Sequence, residues 1–375
     1  MARRAVPRQA MPKVAVACQG GGMHVAFTVG VLTEILRDVD TRNRFDLVGL
    51  SGTSAGALCA LMVWYGLVPK MQGLGSVPAA ITQVNQAWDD FVAQTGAETL
   101  LNLSTYGALV AEETEVPLLG ISARAFGVNP YRAAYKMLAA CLPSLGVRRQ
   151  YFDLDAFLNA ACPGFNEIAW PNVTTRLLIG ASEVVSGFET VFDSSVRTGA
   201  QPANVGMMIQ NSYWRQQLPL TLEGVAASGT LPGFREAEQI GKRYYWDGLY
   251  SNNPPIREFF SGPAQYVPDE IWIVRINPQQ WPYPPQTNAE IEDRQNELMG
   301  NLSLNKELDF IFAQQQPVPI VRTIKMTQNT ADNLCYSSKF DRSRAFTDQM
   351  RQKGRAVAQD WLANWPNVGT YPQDT

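Results

Sequence analysis

Phe45-Asp46-Leu47-Val48-Gly49-Leu50-Ser51-Gly52-Thr53-Ser54-Ala55-Gly56-Ala57-Leu58-Cys59-Ala60-Leu61-Met62-Val63-Trp64 decides the reading of this chain. Asp46 to Ser51 is a short apolar strand, and Ala57 to Trp64 is apolar and rich in helix formers. Between them lies Gly52-Thr53-Ser54-Ala55-Gly56, a G-x-S-x-G pattern. Strand, sharp turn and helix are the context in which that pattern forms a nucleophile elbow. Gly52 and Gly56 are needed because a Cβ two residues either side of the serine would collide in so cramped a turn. The helix N-terminus faces the serine with free N–H groups and a positive dipole end. The alternative is a strand–turn–helix joint with an ordinary serine.

Upstream, Lys13 to Cys18 reads as a first strand. It runs into Gln19-Gly20-Gly21-Gly22-Met23-His24 and a helix from about Val25 to Arg37. The resulting βαβα order predicts a three-layer α/β/α fold on a mainly parallel sheet. Sites in such sheets form at the carboxyl ends of the strands, so both glycine turns belong to one edge. The glycine loop is not a dinucleotide fingerprint, because G-x-G-x-x-G needs glycine at Val25, and it lacks the G-K-[ST] ending of a P-loop. Two readings stay open. Its N–H groups form an oxyanion hole, or it is only a tight β–α turn.

Downstream, residues 67–165 show helical spacing broken by prolines and read as a helical insertion over the sheet. Strands return at Thr174 to Ala181, Phe188 to Phe192, Arg243 to Trp246 and Glu270 to Ile276. The last is nearly continuous apolar, as a buried central strand should be. Thr221 to Ser228 reads as a short helix. Trp281-Pro282-Tyr283-Pro284-Pro285 is a rigid loop, Asn288 to Gln315 one long helix or two, Ile320 to Lys325 a last strand, and Ser343 to Trp365 a closing helix. The expected layout is a tail over 1–12, an α/β domain over 13–330 carrying the insertion, and a helical segment over 331–375 packed on it.

The chain of 375 residues contains one histidine, His24. A triad in the order Ser, Asp or Glu, His is therefore excluded, since no histidine follows Ser54. A base for Ser54 must be His24, a carboxylate or a lysine. Asp247, in Trp246-Asp247-Gly248-Leu249-Tyr250-Ser251-Asn252-Asn253-Pro254, ends a strand at the expected site edge. It is either a turn-former or, if partly desolvated beside Ser54, a base. The order His24, Asp46, Ser54 also permits a triad, although Asp46 opens its strand and belongs at the far end of the sheet.

A net charge of −3 argues against nucleic acid as the main partner. Five scattered cysteines form neither a zinc spacing nor a disulfide framework. Cys18 and Cys59 read as buried thiols, which favours a reducing compartment. No apolar run follows the basic start Met1 to Arg8, so no signal peptide is read. The apolar stretch Ala55 to Pro69 is shorter than the roughly 20 residues of a membrane span. The expected location is cytoplasmic or peripheral at a membrane.

Three segments together, Gly20 to Val25, Gly52 to Gly56 and Asp247-Gly248-Leu249, resemble those of the patatin-like phospholipase (patatin-like acyl hydrolase) family. Ser228 to Phe234 is similar to the small-residue and proline segment that precedes the Asp motif there. Roughly residues 13–280 are covered. The resemblance implies a hydrolase acting on fatty acyl esters of lipids or phospholipids through a Ser-Asp dyad, with Ser54 as nucleophile and Asp247 as general base. It places the oxyanion hole at Gly20, Gly21, Gly22 and Ala55, with His24, Gly52, Gly56 and Gly248 supporting. It implies a lipid or acyl ester as substrate and transient contact with a membrane surface. With one histidine and no clustered acidic loop of Ca²⁺ spacing no metal is expected, nor any cofactor. The chain departs from the pattern at His24 and Val25 in the glycine loop, and at Leu249 after Asp-Gly. Acyl transfer or thioester hydrolysis on the same dyad, or a silent binding or scaffold protein, are the alternatives; oligomeric state is not read.

Overall fold

The computed structural model describes residues 11–69, 75–96, 98–103, 106, 153–168, 170–196, 214–232, 235–286, 288–331 and 334–372. Most of the helical stretch expected over 67–165 therefore lies outside the described residues.

Among the described residues nine strands form one sheet: β1 Lys13–Cys18, β2 Asp46–Thr53, β3 Arg176–Glu183, β4 Glu189–Asp193, β5 Arg215–Pro219, β6 Glu238–Ile240, β7 Arg243–Asp247, β8 Glu270–Arg275 and β9 Ile320–Lys325. The order is β5-β4-β3-β2-β1-β8-β9, with β7 and β6 attached at the end of β3. Pairings β1/β2, β1/β8, β2/β3, β8/β9 and β4/β5 are parallel, and β3/β4, β3/β7 and β6/β7 antiparallel. The sheet is thus mainly parallel, as the βαβα order predicts. The apolar run at 270–276 is an internal strand buried along its whole length.

The main helices among the described residues are α1 Ala26–Arg42, α2 Ala55–Leu67, α3 Val77–Phe91, α4 Leu154–Ala161, α5 Leu222–Ser228, α6 Asn288–Gln314 and α7 Arg344–Asn364. Alternation along β1 shows that both faces of the sheet are covered. Val14, Val16 and Cys18 join a core built with α1, α2, α3 and α7. Ala15 and Ala17 join a second core with Leu304, Leu308 and Ile311 of α6. The chain is therefore a three-layer α/β/α protein.

The α1–α7 crossing is close because glycines face it. A Cβ on Gly30 would lie 2.1 Å from the Arg351 carbonyl, and one on Gly354 would lie 2.0 Å from that of Phe27. The described part of the 67–165 stretch belongs to the main core, with Ala80, Val84, Ala87 and Trp88 of α3 fully or almost fully buried in it.

Of the two readings left open for Asn288 to Gln315, the structure takes one long helix, Asn288–Gln314. Two differences from the sequence reading have plain causes. Helix α1 runs to Arg42, ending on Asn43 in the left-handed conformation at φ 46°. Strands β5 and β6 escape a hydrophobic-pattern reading because both are short and polar. Arg215 of β5 is held by ion pairs to Glu189, Glu258 and Glu307 instead of by apolar packing.

Candidate active site

Strand register brings three chain segments to one edge. Cys18 pairs with Gly52, Thr53 pairs with Gly180, and Ala181 pairs with Asp247. Strands β2 and β7 thus share β3 end to end. The residue after Thr53 is Ser54, so Ser54 and Asp247 meet where the two strand ends converge, although 193 positions separate them in sequence.

Ser54 is the N-cap of α2, at φ 58° and ψ −133°. Such a backbone costs on the order of 1–3 kcal/mol for a non-glycine residue and persists only where the surroundings enforce it. Here they do. A Cβ on Gly52 would lie 2.3 Å from the Gly56 carbonyl oxygen, and one on Gly56 would lie 2.5 Å from that of Cys18. The Ser54 N–H donates to Ser228 Oγ at 2.9 Å. The Ser54 carbonyl accepts from Ala57 and Leu58 and starts the helix. Ala55, first in that helix, presents an N–H with no intrahelical acceptor.

Asp247 is fully buried. Its N–H donates to the Thr230 carbonyl at 2.9 Å, and its Oδ1 accepts the Leu249 N–H at 2.8 Å. Oδ2 is buried without a hydrogen-bond partner. The nearby Ser54 hydroxyl lowers the carboxyl's pKa, but burial outweighs it and raises the group to about 7. The hydroxyl and carboxylate are therefore adjacent yet not joined by a bond of ordinary length, a looseness common in unliganded sites. Gly248 allows the turn: a Cβ there would lie 2.5 Å from the Gly180 carbonyl oxygen.

The loop after β1 closes the other side. A Cβ on Gly20 would lie 2.7 Å from Ser54 Cβ and 2.6 Å from the Thr53 carbonyl oxygen. The Gly20 N–H does not point at the site as a free donor: Asn253 Oδ1 accepts it at 2.7 Å, while Asn277 Nδ2 donates to the Gly20 carbonyl at 3.1 Å. Gly20 thus gives closeness of approach, and the donors left over are the N–H groups of Gly21 and Gly22, which no acceptor among the described residues takes. Gly22 has φ 59°. Gln19 fixes the loop's base. Its Oε1 accepts from Ile276 and Asn277 N–H at 3.1 and 3.2 Å, and its Nε2 donates to Asn301 Oδ1 at 3.1 Å.

His24 is buried, and its Nε2 lies 2.7 Å from Ser338 Oγ. The Ser338 hydroxyl proton goes to the Cys335 carbonyl at 2.7 Å, so His24 is the donor. Burial, then the charge of Lys339, lowers the His24 pKa well below 6.5, and the ring is neutral. Asp46 lies at the exposed start of β2, eight residues or roughly 25 Å from Ser54 along the strand. The triad His24–Asp46–Ser54 does not form.

Ser54, Asp247, Gly21, Gly22, Leu231 and Leu249 line one cavity of about 70 Å³. Gly20, Thr53, Asn253, Asn277, Asn296, Tyr336, Lys339 and Phe340 complete its wall. Sequence reading missed Ser228, Asn253, Asn277 and Lys339. The first two lie in segments it had singled out, whereas Asn277 and Lys339 carry no local signal. Among the described residues no three His, Cys, Asp or Glu side chains come together as a metal site requires. No described helix is long and apolar enough to cross a membrane.

No family model and no curated protein matches the chain. Among solved structures it is similar to VipD from Legionella pneumophila, at 12% identity and a TM-score of 0.39, over 95% of this chain and 67% of that one. It is similar to the type III effector protein ExoU at 15% identity and a TM-score of 0.29, over 93% and 53%. It is also similar to a structure of SpcU in complex with ExoU from the type III secretion system of Pseudomonas aeruginosa, at 13% identity and a TM-score of 0.28, over 94% and 53%. The chain spans about two thirds of the VipD chain and about half of each ExoU chain.

Proposed function

We propose that this chain is a serine acyl hydrolase that cleaves fatty acyl esters of lipids through a Ser54–Asp247 dyad. One observation carries the reading: a fully buried carboxylate oxygen, Asp247 Oδ2, stands without a partner beside a serine on a strained elbow. A group left unsatisfied in a buried site is costly, and a carboxyl raised to about 7 is tuned to exchange a proton near neutral pH.

Ser54 Oγ attacks the ester carbonyl carbon and its proton passes to Asp247 Oδ2. The oxyanion is held by the N–H groups of Gly21, Gly22 and Ala55. Asp247 returns the proton to the leaving alcohol as the C–O bond breaks, giving the acyl-enzyme. A water molecule then gives a proton to Asp247 as its oxygen bonds to the acyl carbon; the bond from that carbon to Ser54 Oγ breaks, Asp247 returns the proton to Oγ, and the fatty acid leaves. His24 holds the loop and takes no proton. The lipid assignment rests on the resemblance of the three motifs, and contact with a membrane surface follows from that substrate class.

Hydrolysis of p-nitrophenyl esters of graded chain length, with fluorophosphonate labelling, tests the reading. Wild type should hydrolyse and be labelled at Ser54, and Ser54→Ala and Asp247→Asn should lose about 10³-fold or more in kcat. A wild type that neither hydrolyses nor labels would instead mark a binding or scaffold protein.

A further inference from the structure

Helix α7 carries Arg344, Asp348, Arg351 and Arg355 on one face, at helical spacing. With Arg37 of α1 and Asn85 and Asp89 of α3, they border a groove of about 520 Å³. The groove shares no described wall residue with the cavity that holds Ser54. Ile81 is its one apolar wall among the described residues.

The carboxylates of this seam are already taken. Glu34 pairs with Arg37, Asp348 with Arg351 at 2.5 Å, and Asp89 with Arg351 at 2.7 Å and Arg344 at 3.5 Å. Arg351 meets both aspartates through Nη2 alone. Among the described residues no carboxylate pairs with Arg355. Its Nη2 donates to Asn85 Oδ1 at 3.1 Å, and its Nε is buried without a partner. Asn85 Nδ2 donates to Thr33 Oγ1 and the Ile81 carbonyl at 3.0 and 2.9 Å, which fixes the amide oxygen on Arg355. A partly buried guanidinium facing a neutral amide is left with a desolvation cost that an anion offsets better.

The contacts also say where in the groove that cation stands. Asn85 joins Arg355 to Thr33, and the next residue, Glu34, holds Arg37 and accepts from Gln359, one turn beyond Arg355. Arg37 and Arg355 therefore belong to one end. Arg344 lies about 16 Å away along α7, at the rise of an α-helix, and marks the other.

We propose that this groove binds a phosphate monoester, its phosphate held by Arg355 and Arg37 and the rest of the molecule lying along α7. Guanidinium groups meet phosphate through paired N–H bonds. A phosphate monoester brings three acceptor oxygens and nearly two negative charges near neutral pH. Cations reach it from α1 on one side and α7 on the other, which suits an anion with oxygens on several sides. With a single apolar wall, the groove offers little to a hydrophobic peptide. The inference does not rest on the acyl hydrolase reading.

The test is calorimetric titration of the full chain with inorganic phosphate at constant ionic strength. Wild type should bind saturably, with Kd of about 1 mM or tighter. Arg355→Gln and Arg37→Gln should each weaken binding about tenfold, the loss of one charged hydrogen bond. Arg344→Gln makes the same charge change at the far end and should leave Kd within about twofold of wild type, since the phosphate lies beyond its reach. If Arg355→Gln fails to fold by its thermal melt, Arg37→Gln, whose side chain is 49% exposed, decides alone. Absence of saturable binding overturns the inference. So does equal weakening in Arg344→Gln, or no weakening in any variant, either of which marks an adventitious ion only. Co-sedimentation with phosphatidylcholine vesicles, with and without phosphatidic acid, then separates the two sources of a phosphate monoester. Vesicle binding that needs phosphatidic acid and is lost in Arg355→Gln assigns the site to a lipid head group. Phosphate binding without it assigns the site to a soluble ester.

Discussion

Asn253 Oδ1 accepts the Gly20 N–H at 2.7 Å, tying the loop after β1 to the loop after β7. Both partners are buried, so the bond sets how the glycine loop lies against Ser54. Asn253→Ala leaves the Gly20 N–H buried and unpaired, which costs about 1–3 kcal/mol of stability. It also frees the loop that carries the Gly21 and Gly22 donors. We expect kcat on p-nitrophenyl esters to fall by about 10–100-fold with KM little changed, since a small misplacement of catalytic groups has that scale of effect. An unchanged kcat would show that the loop holds its position without this bond.

In the proposed dyad Asp247 sets the pH dependence. The base of that dyad must be ionised, and burial has raised it to about 7. Activity should therefore rise through about pH 7 and be lost below it, with no descending limb from the neutral His24. Stability moves the other way. The folded carboxyl holds its proton more tightly than the unfolded one, so wild type loses stability as pH rises from about 4 to about 7. Asp247→Asn does not titrate. It should be inactive yet gain on wild type by up to about 4 kcal/mol across that window, of which about 3 kcal/mol falls between pH 5 and pH 8, where denaturant midpoints measure it. Equal differences at the two pH values would contradict the raised pKa.

Gly20 is required by space. A Cβ there would lie 2.6 Å from the Thr53 carbonyl oxygen and 2.7 Å from Ser54 Cβ, and backbone at that distance has no room to give. Gly20→Ala should lose about 100-fold or more in kcat/KM, by the same misplacement argument, together with fluorophosphonate labelling. Gly96, exposed and with nothing within 4 Å of the position a Cβ would take, is the control. Gly96→Ala should match wild type in both assays.

His24 supports the site from outside its cavity. Its Nε2–H donates to Ser338 and anchors the turn that carries Lys339. His24→Phe should lower Tm by a few degrees, the size of one buried hydrogen bond, while kcat/KM changes less than about tenfold. The folded-state pKa lies well below 6.5, so the histidine's contribution is present above about pH 6.5 and fades as the unfolded chain takes up a proton below it. The Tm gap between wild type and His24→Phe should be widest above pH 6.5 and narrow on acidification. A kcat/KM as low as that of Ser54→Ala would instead make His24 the base.

The parallel sheet was legible because β1, β2 and β8 are largely apolar runs and β9 alternates, patterns that follow from burial. The glycine turns were legible because crowding excludes side chains at Gly20, Gly52, Gly56 and Gly248, and crowding leaves glycine in the sequence. Ser54 and Asp247 could be named as a pair only through the resemblance of their motifs and the lack of a second histidine. Their meeting is decided by register, Thr53 against Gly180 and Ala181 against Asp247, which no local pattern encodes. The same holds for Asn253 on Gly20, Ser228 on Ser54 and Lys339 in the cavity: each is an ordinary polar residue locally, and acquires its place through contacts with residues far away in the chain. Sequence by itself determined the layers and the cramped turns, since burial and crowding act on residue type. Tertiary structure alone decided which donors are spent and which carboxylate oxygen is left bare, since those depend on distances between strand ends.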